Sequence, residues 1–182
     1  MMECNIGEIS PERVEIMDVL VLMGSSSDFS VMQHAVPFFK RFDITARITV
    51  ASAHRTPDRV HEEVRAAEEA GAVAIICAAG MAAHLAGVVA GTTNLPVIGV
   101  PLASGALDGL DALLSTVQMP AGIPVATVGV GKAGARNAAI LVARMIGPHR
   151  PHVAAALKTY REGMNETVAK AAAEVEAQVA EL

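Results

Sequence analysis

The sequence predicts an α/β fold, a single three-layer domain in which helices wind on both faces of a five-stranded parallel sheet. Three observations carry this expectation. Five short apolar runs alternate with amphipathic segments, and parallel neighbours of that kind need crossover helices, which are right-handed. Aromatic residues make up only 3% of the chain and Trp is absent, so the core is built from small and branched side chains, as suits helices laid closely on a parallel sheet. Finally, 182 residues that are 52% hydrophobic, with no long polar linker, suffice for one well-buried domain but hardly for two.

The elements follow in order. After an N-terminal tail, residues 1–17, the run VLVLM (19–23) makes the first strand and an amphipathic helix spans about 28–42. ITARITV (44–50) is the second strand, and a helix starting after Pro57 ends at Gly71. VAIIC (73–77) is the third strand, a short helix runs from His84 to Ala90, and PVIGV (96–100) is the fourth strand. A helical stretch at about 107–117 ends before Met119-Pro120, PVATVGV (124–130) is the fifth strand, and a helix over 133–146 closes the domain at residue 147. The arrangement is doubly wound, of Rossmann-like or flavodoxin-like type, and such sheets bind ligands at the carboxyl ends of their strands.

Beyond the helix-breaking Gly147-Pro148-His149-Arg150-Pro151, residues 148–182 form a C-terminal helix. Val153, Leu157, Tyr160, Met164, Val168, Val175, Val179 and Leu182 fall on one apolar stripe. A helix this long on a domain this small is expected to reach past its own sheet and pack on a neighbouring subunit.

Cys4 and Cys77 give neither a disulfide framework nor a thiolate metal site, and the simplest compartment is a reducing one, the cytoplasm. The N-terminus carries acidic residues and no long apolar stretch, so it does not read as a signal peptide, and no run reaches the roughly 18 apolar residues of a membrane span. A net charge of −5 argues against broad nucleic-acid binding. The expected partners are a small molecule and further copies of the chain.

Four loops fall where the first four strands end: Gly24 to Asp28, Ser52 to Pro57, Ala79 to His84, and Pro101 to Asp108. In the first, Gly24 followed by Ser25, Ser26 and Ser27 offers N–H groups and hydroxyls to an anion, while Asp28 suits ribose hydroxyls; the alternative is that Ser27 or Asp28 caps the helix. In the second, Arg55 can grip a phosphate bidentately, and His54 is the side chain suited to proton transfer near neutrality. In the third, His84 either binds a carboxylate, orients a base, or starts its helix by bonding to backbone; a supporting role is favoured.

Other features read as structural. Gly105 and Gly109 give turns, Cys77 fills core, Gly131 and Gly134 loosen a helix entry, and His34, His61, His149 and His152 lie on the surface without metal-ligand spacing. No P-loop lysine motif, G-x-G-x-x-G after the first strand or G-x-S-x-G elbow is present, which disfavours nucleoside-triphosphate hydrolysis, nicotinamide chemistry and serine hydrolysis. A receiver domain lacks support because no acidic pair ends the first strand.

Six strings carry a resemblance when read together. They are Met23-Gly24-Ser25-Ser26-Ser27-Asp28, Ser52-Ala53-His54-Arg55-Thr56-Pro57, Ala82-Ala83-His84-Leu85, residues 96–101 (PVIGVP), 109–115 (GLDALLS) and 117–120 (VQMP). In this order and spacing, over about Val19 to Ile146, the chain closely resembles the N5-carboxyaminoimidazole ribonucleotide mutase family, the catalytic-subunit type of phosphoribosylaminoimidazole carboxylase.

The resemblance implies a flavodoxin-like domain assembled as a homo-octamer with active sites at subunit contacts. It implies that Ser25, Asp28 and Arg55 bind the ribonucleotide with Ser27 and Ser52 nearby, that Gly80, Met81 and His84 complete the substrate-binding set, and that His54 is general acid and base. No cofactor is implied: neither ATP, biotin nor metal. The implied reaction moves a carboxylate from N5 to ring carbon 4 through trapped carbon dioxide. The chain departs from the family at Ala78, Met81 and Ala86, where two glycines and a proline are usual, so side chains stand where backbone is expected to approach the reacting carboxylate. The rival activity is direct carboxylation of aminoimidazole ribonucleotide by CO2, whose enzymes usually lack the Ala-Ala-His-Leu string. The rival from another class is a non-catalytic nucleotide-binding module in which His54 is structural.

Overall fold

The computed structural model describes residues 17–182; residues 1–16 of the N-terminal tail, Cys4 among them, lie outside the described residues. Five strands form one parallel sheet in the order β2-β1-β3-β4-β5: β1 (Val19–Met23), β2 (Ala46–Val50), β3 (Ala74–Gly80), β4 (Val97–Leu102) and β5 (Ala126–Thr127). All five residues of β1 are buried, because helices cover both faces of the sheet. Val19, Val21 and Met23 join Met32, Phe39, Phe42, Ile76 and Val100 on one face. Leu20 and Leu22 join Val60, Val64, Ile75, Cys77 and Leu85 on the other, the alternation a strand imposes.

The first face is covered by α1 (Phe29–Met32), α2 (Val36–Arg41) and α6 (Lys132–Ile146). The second carries α3 (Pro57–Glu69) and α4 (Leu85–Ala90), with α5 (Leu110–Val117) packed along β4. The strand order reverses between β1 and β3, where a doubly wound sheet opens a crevice at its carboxyl edge.

Two elements differ from expectation. The helix expected over 28–42 is broken into 3-10 turns at Ser26–Asp28 and Gln33–Ala35 flanking α1 and leading into α2. Pro37, near the start of α2, has no N–H for the Gln33 carbonyl and its ring crowds that oxygen, so a continuous helix is interrupted there. The fifth strand shrinks from seven residues to Ala126–Thr127. It pairs with Ile98 and Gly99 of β4; two residues farther along that strand Pro101 has no N–H to continue the ladder, and its carbonyl accepts from Gly131 N at 2.9 Å, where the chain already turns into α6.

Gly134 does not loosen the entry to α6. A Cβ there would stand 1.7 Å from the Gly129 carbonyl oxygen, so glycine is what lets the helix approach that loop. Gly105 and Gly109 do occupy left-handed turns (φ 75° and 88°), and Cys77 is buried in the core, which pushes its thiol well up. His61, His149 and His152 are exposed, while His34 is half-buried.

The final helix, α7 (Pro151–Ala180), opens with Pro at its first position. Arg150, immediately before it, pairs with the buried Asp18 carboxylate, which also accepts from Thr45 N at 2.8 Å, so the start of α7 is tied to the start of β1. Val153 is buried, and Tyr160 stands edge-on to Phe38 and Phe42, each ring centroid 5.8 Å away. Farther along, Met164, Val168, Val175 and Val179 are exposed, so the first part of the stripe packs on its own domain and the rest does not. Among the described residues no helix is long and apolar enough to cross a membrane.

Candidate active site

The loops after β1, β2, β3 and β4 converge on one cavity of about 570 Å³ at the carboxyl edge of the sheet, beside the β1/β3 reversal. Ser25, Ser27, Asp28, Ser52, His54, Arg55, Gly80, Met81 and His84 all line it. A larger cleft of about 850 Å³ opens at the opposite edge near Thr92–Pro96 and Gly122–Pro124, but Glu68 is its one titratable residue, whereas the smaller cavity gathers Asp28, His54, Arg55 and His84.

In the first loop the helix cap is Ser25 rather than Ser27 or Asp28. Its hydroxyl accepts from Ser27 N at 3.4 Å, and the Asp28 carboxylate returns the bond by accepting from Ser25 N at 2.9 Å, a closed capping box. The Ser27 hydroxyl lies 3.0 Å from that of Ser25 and 3.5 Å from the other Asp28 oxygen. Capping and ligand binding are therefore not alternatives, because the cap fixes a cluster of hydroxyls at the cavity wall. Burial raises the Asp28 carboxyl above its ordinary range, outweighing the N–H groups, the Ser27 hydroxyl and the Arg55 charge that favour its ionised form.

In the second loop Thr56 closes a turn on Ser52, its N–H donating to the Ser52 carbonyl at 2.8 Å and its hydroxyl accepting from Ser52 N at 2.9 Å. The buried Ser52 hydroxyl accepts from Arg55 N (3.3 Å) and Arg55 Nε (3.4 Å), while Arg55 Nη2 donates to the Gly24 carbonyl at 2.7 Å. This cross-brace locks the guanidinium between the first and second loops and leaves its remaining hydrogens for an anion.

His54 meets His84 directly, with Nε2 of His54 2.8 Å from Nδ1 of His84 and the rings nearly perpendicular at 84°. One ring donates and the other accepts, so each fixes the tautomer of its neighbour. His84 sits at the cap position of α4 and makes no side-chain cap bond, which removes the helix-start reading considered for it. Both rings are exposed in the single chain.

The third loop turns sharply. Ala83 N donates to the Met81 carbonyl at 2.9 Å and His84 N to the Ala82 carbonyl at 2.6 Å, with Met81 at φ +56°. Gly80 lets the loops after β3 and β4 approach closely: a Cβ would stand 2.0 Å from the Ser104 hydroxyl, which would have to turn away, and 3.2 Å from the Leu102 carbonyl oxygen. Ser104 lines the cavity and was not singled out by the sequence, although it lies in the fourth rim loop. Among the described residues no group of three His, Cys, Asp or Glu side chains could hold a metal ion. The cavity thus combines an imidazole pair able to move a proton, a braced guanidinium and a hydroxyl cluster.

Comparison with known proteins finds relatives of both the sequence and the fold. A family profile described as AIR carboxylase matches residues 18–167. The chain is 51% identical over 152 residues to the N5-carboxyaminoimidazole ribonucleotide mutase of Pyrococcus abyssi, covering 84% of this chain and 86% of the relative. It is 45% identical over 150 residues to the mutase of Escherichia coli, covering 82% and 89% respectively. Its fold matches the crystal structure of Treponema denticola PurE with a TM-score of 0.76 at 30% identity, covering 84% of this chain and 94% of that one. The chain belongs to the AIR carboxylase family.

Proposed function

We propose that the cavity isomerises N5-carboxyaminoimidazole ribonucleotide to 4-carboxy-5-aminoimidazole ribonucleotide, a step of purine biosynthesis, with His54 as general acid and then general base. The observation that carries this reading is the His54–His84 pair, 2.8 Å apart, in the same cavity as the Arg55 brace and the serine loop. The mutases among the relatives support the overall reaction.

Ser25, Ser27 and Arg55 hold the phosphate, Asp28 accepts from the ribose hydroxyls, and Ser52 holds Arg55 in place. Protonated His54 gives its proton to the carbamate nitrogen as the N–C bond breaks, the electron pair staying on nitrogen and carbon dioxide forming inside the cavity. Ring carbon 4 attacks that carbon dioxide, and neutral His54 takes the proton carbon 4 loses, ending in the state in which it began. The balance closes without ATP, biotin or metal. His84 sets the tautomer and orientation of His54, and Gly80 and Met81 border the reacting carboxyl group.

Because both imidazoles are exposed in one chain, retention of carbon dioxide calls for the site to be closed off from water, and a second subunit contributes to that closure in this reading. Leu107, Leu110, Leu114 and Val117 around α5, together with the distal α7 stripe, are exposed apolar faces that suit a homo-octamer working in the cytoplasm. Light scattering reads the assembly directly, and a monomer would remove this part of the account.

The activity is tested by offering the purified protein N5-carboxyaminoimidazole ribonucleotide without ATP, beside aminoimidazole ribonucleotide plus bicarbonate. Efficient conversion of the carbamate alone is expected. Turnover only in the second reaction would make the enzyme a direct carboxylase of lyase type, and no turnover in either would leave a binding module.

A further inference from the structure

Met81 lines the cavity, is 61% exposed, and holds a left-handed backbone conformation at φ +56°. Among the described residues the other two non-glycine residues with positive φ are Asp43 and Asp108, a residue type that visits this region readily; methionine does not. The conformation is imposed by the turn that carries the chain from β3 to α4 and brings His84 to His54. Glycine satisfies that turn at no steric cost, so the turn does not explain the side chain.

The cavity does explain it. The neighbouring wall residues Ala79, Gly80, Ala82 and Ala83 are small, and Leu85 is buried. Met81 is therefore the one long apolar side chain of the lining that remains exposed. Its unbranched thioether chain adapts to what it covers. Carbon dioxide is small and uncharged, and a pocket keeps it by closing an apolar surface over it rather than by ion pairs.

We infer that Met81 is the cap that keeps the released carbon dioxide in the cavity between the two steps, a retention residue for the reaction rather than a proton carrier. The inference rests on the mutase reading. It is tested with N5-carboxyaminoimidazole ribonucleotide carrying 13C in its carbamate, in unlabelled bicarbonate, by measuring the 13C content of the carboxylated product at low conversion against an enzyme-free control. The full-length wild-type chain is expected to keep most of the label. Met81→Ala and Met81→Gly are expected to lose label to the medium several-fold more often per turnover, and Met81→Leu to restore retention. The Gly variant suits the backbone of the turn and so remains folded. Equal retention in the wild type, Ala and Gly variants, or no retention in the wild type, would overturn the inference. Failure of the wild type to convert the carbamate at all would instead remove the reading on which it rests.

Discussion

The Asp18–Arg150 pair allows an energetic prediction worked from the structure. Asp18 is 2% exposed and accepts from Thr45 N and from the Arg150 guanidinium, the junction that holds α7 to the sheet. Arg150→Met leaves a buried carboxylate with one backbone donor, a loss of about 3 kcal/mol. Asp18→Asn keeps the shape and removes the charge, costing about 1.5 kcal/mol. The double variant costs about 2.5 kcal/mol, less than the sum, so a double-mutant cycle returns a favourable coupling of about 2 kcal/mol. In this size range each kcal/mol moves Tm by about 2–4 °C, so Arg150→Met is expected to melt about 6–12 °C below the wild type, measured at fixed protein concentration.

The pair also sets a pH dependence. Burial alone would raise the Asp18 carboxyl, but the Arg150 hydrogen bond and charge and the Thr45 N–H outweigh it and hold the group below its ordinary value of 3.8. A depressed carboxyl contributes stability that is present above that ordinary value and is lost as pH falls through the native one. The Tm difference between wild type and Asp18→Asn therefore shrinks on acidification below about pH 4. Additive single variants, or a Tm difference unchanged between neutral and acidic solution, would refute the reasoning.

Three further outcomes follow from particular contacts. Gly134→Ala gains about 1 kcal/mol of helix propensity. It also drives a Cβ against the Gly129 carbonyl, so a net loss of about 1–2 kcal/mol is expected in urea unfolding, and a stabilised variant would contradict the packing. Ser52→Ala frees the Arg55 guanidinium from its buried acceptor and is expected to raise KM about tenfold with little change in kcat; an unchanged KM would show that the Gly24 carbonyl alone holds Arg55. His84→Phe removes the partner that fixes the His54 tautomer, lowering kcat about a hundredfold while ribonucleotide binding by calorimetry persists. Full activity in that variant would make the imidazole contact incidental.

Much of the fold was legible because apolar runs flanked by glycine and proline leave few alternatives. VLVLM, for example, is β1 from end to end. What the pattern missed were effects of single atoms: the N–H absent from Pro37 that segments the first helical stretch, and the one absent from Pro101 that shortens β5. Gly134 was misread because a missing Cβ looks the same in sequence whether it serves flexibility or close approach.

The candidate residues were legible as a set because strand ends of one parallel sheet meet at one edge, and all nine line the same cavity. Their pairings were not legible. That Ser25 rather than Ser27 caps the turn, that Ser52 supports Arg55, and that His84 touches His54 across 30 positions depend on side-chain geometry, as does the arrival of Ser104 against Gly80.

The most direct test of the account is the His54→Asn variant assayed with N5-carboxyaminoimidazole ribonucleotide, with ribonucleotide affinity measured in parallel. The account predicts a loss of turnover of about 10²–10⁴-fold with affinity within a few-fold of wild type. Turnover close to wild type would contradict it, because no proton could then pass through His54.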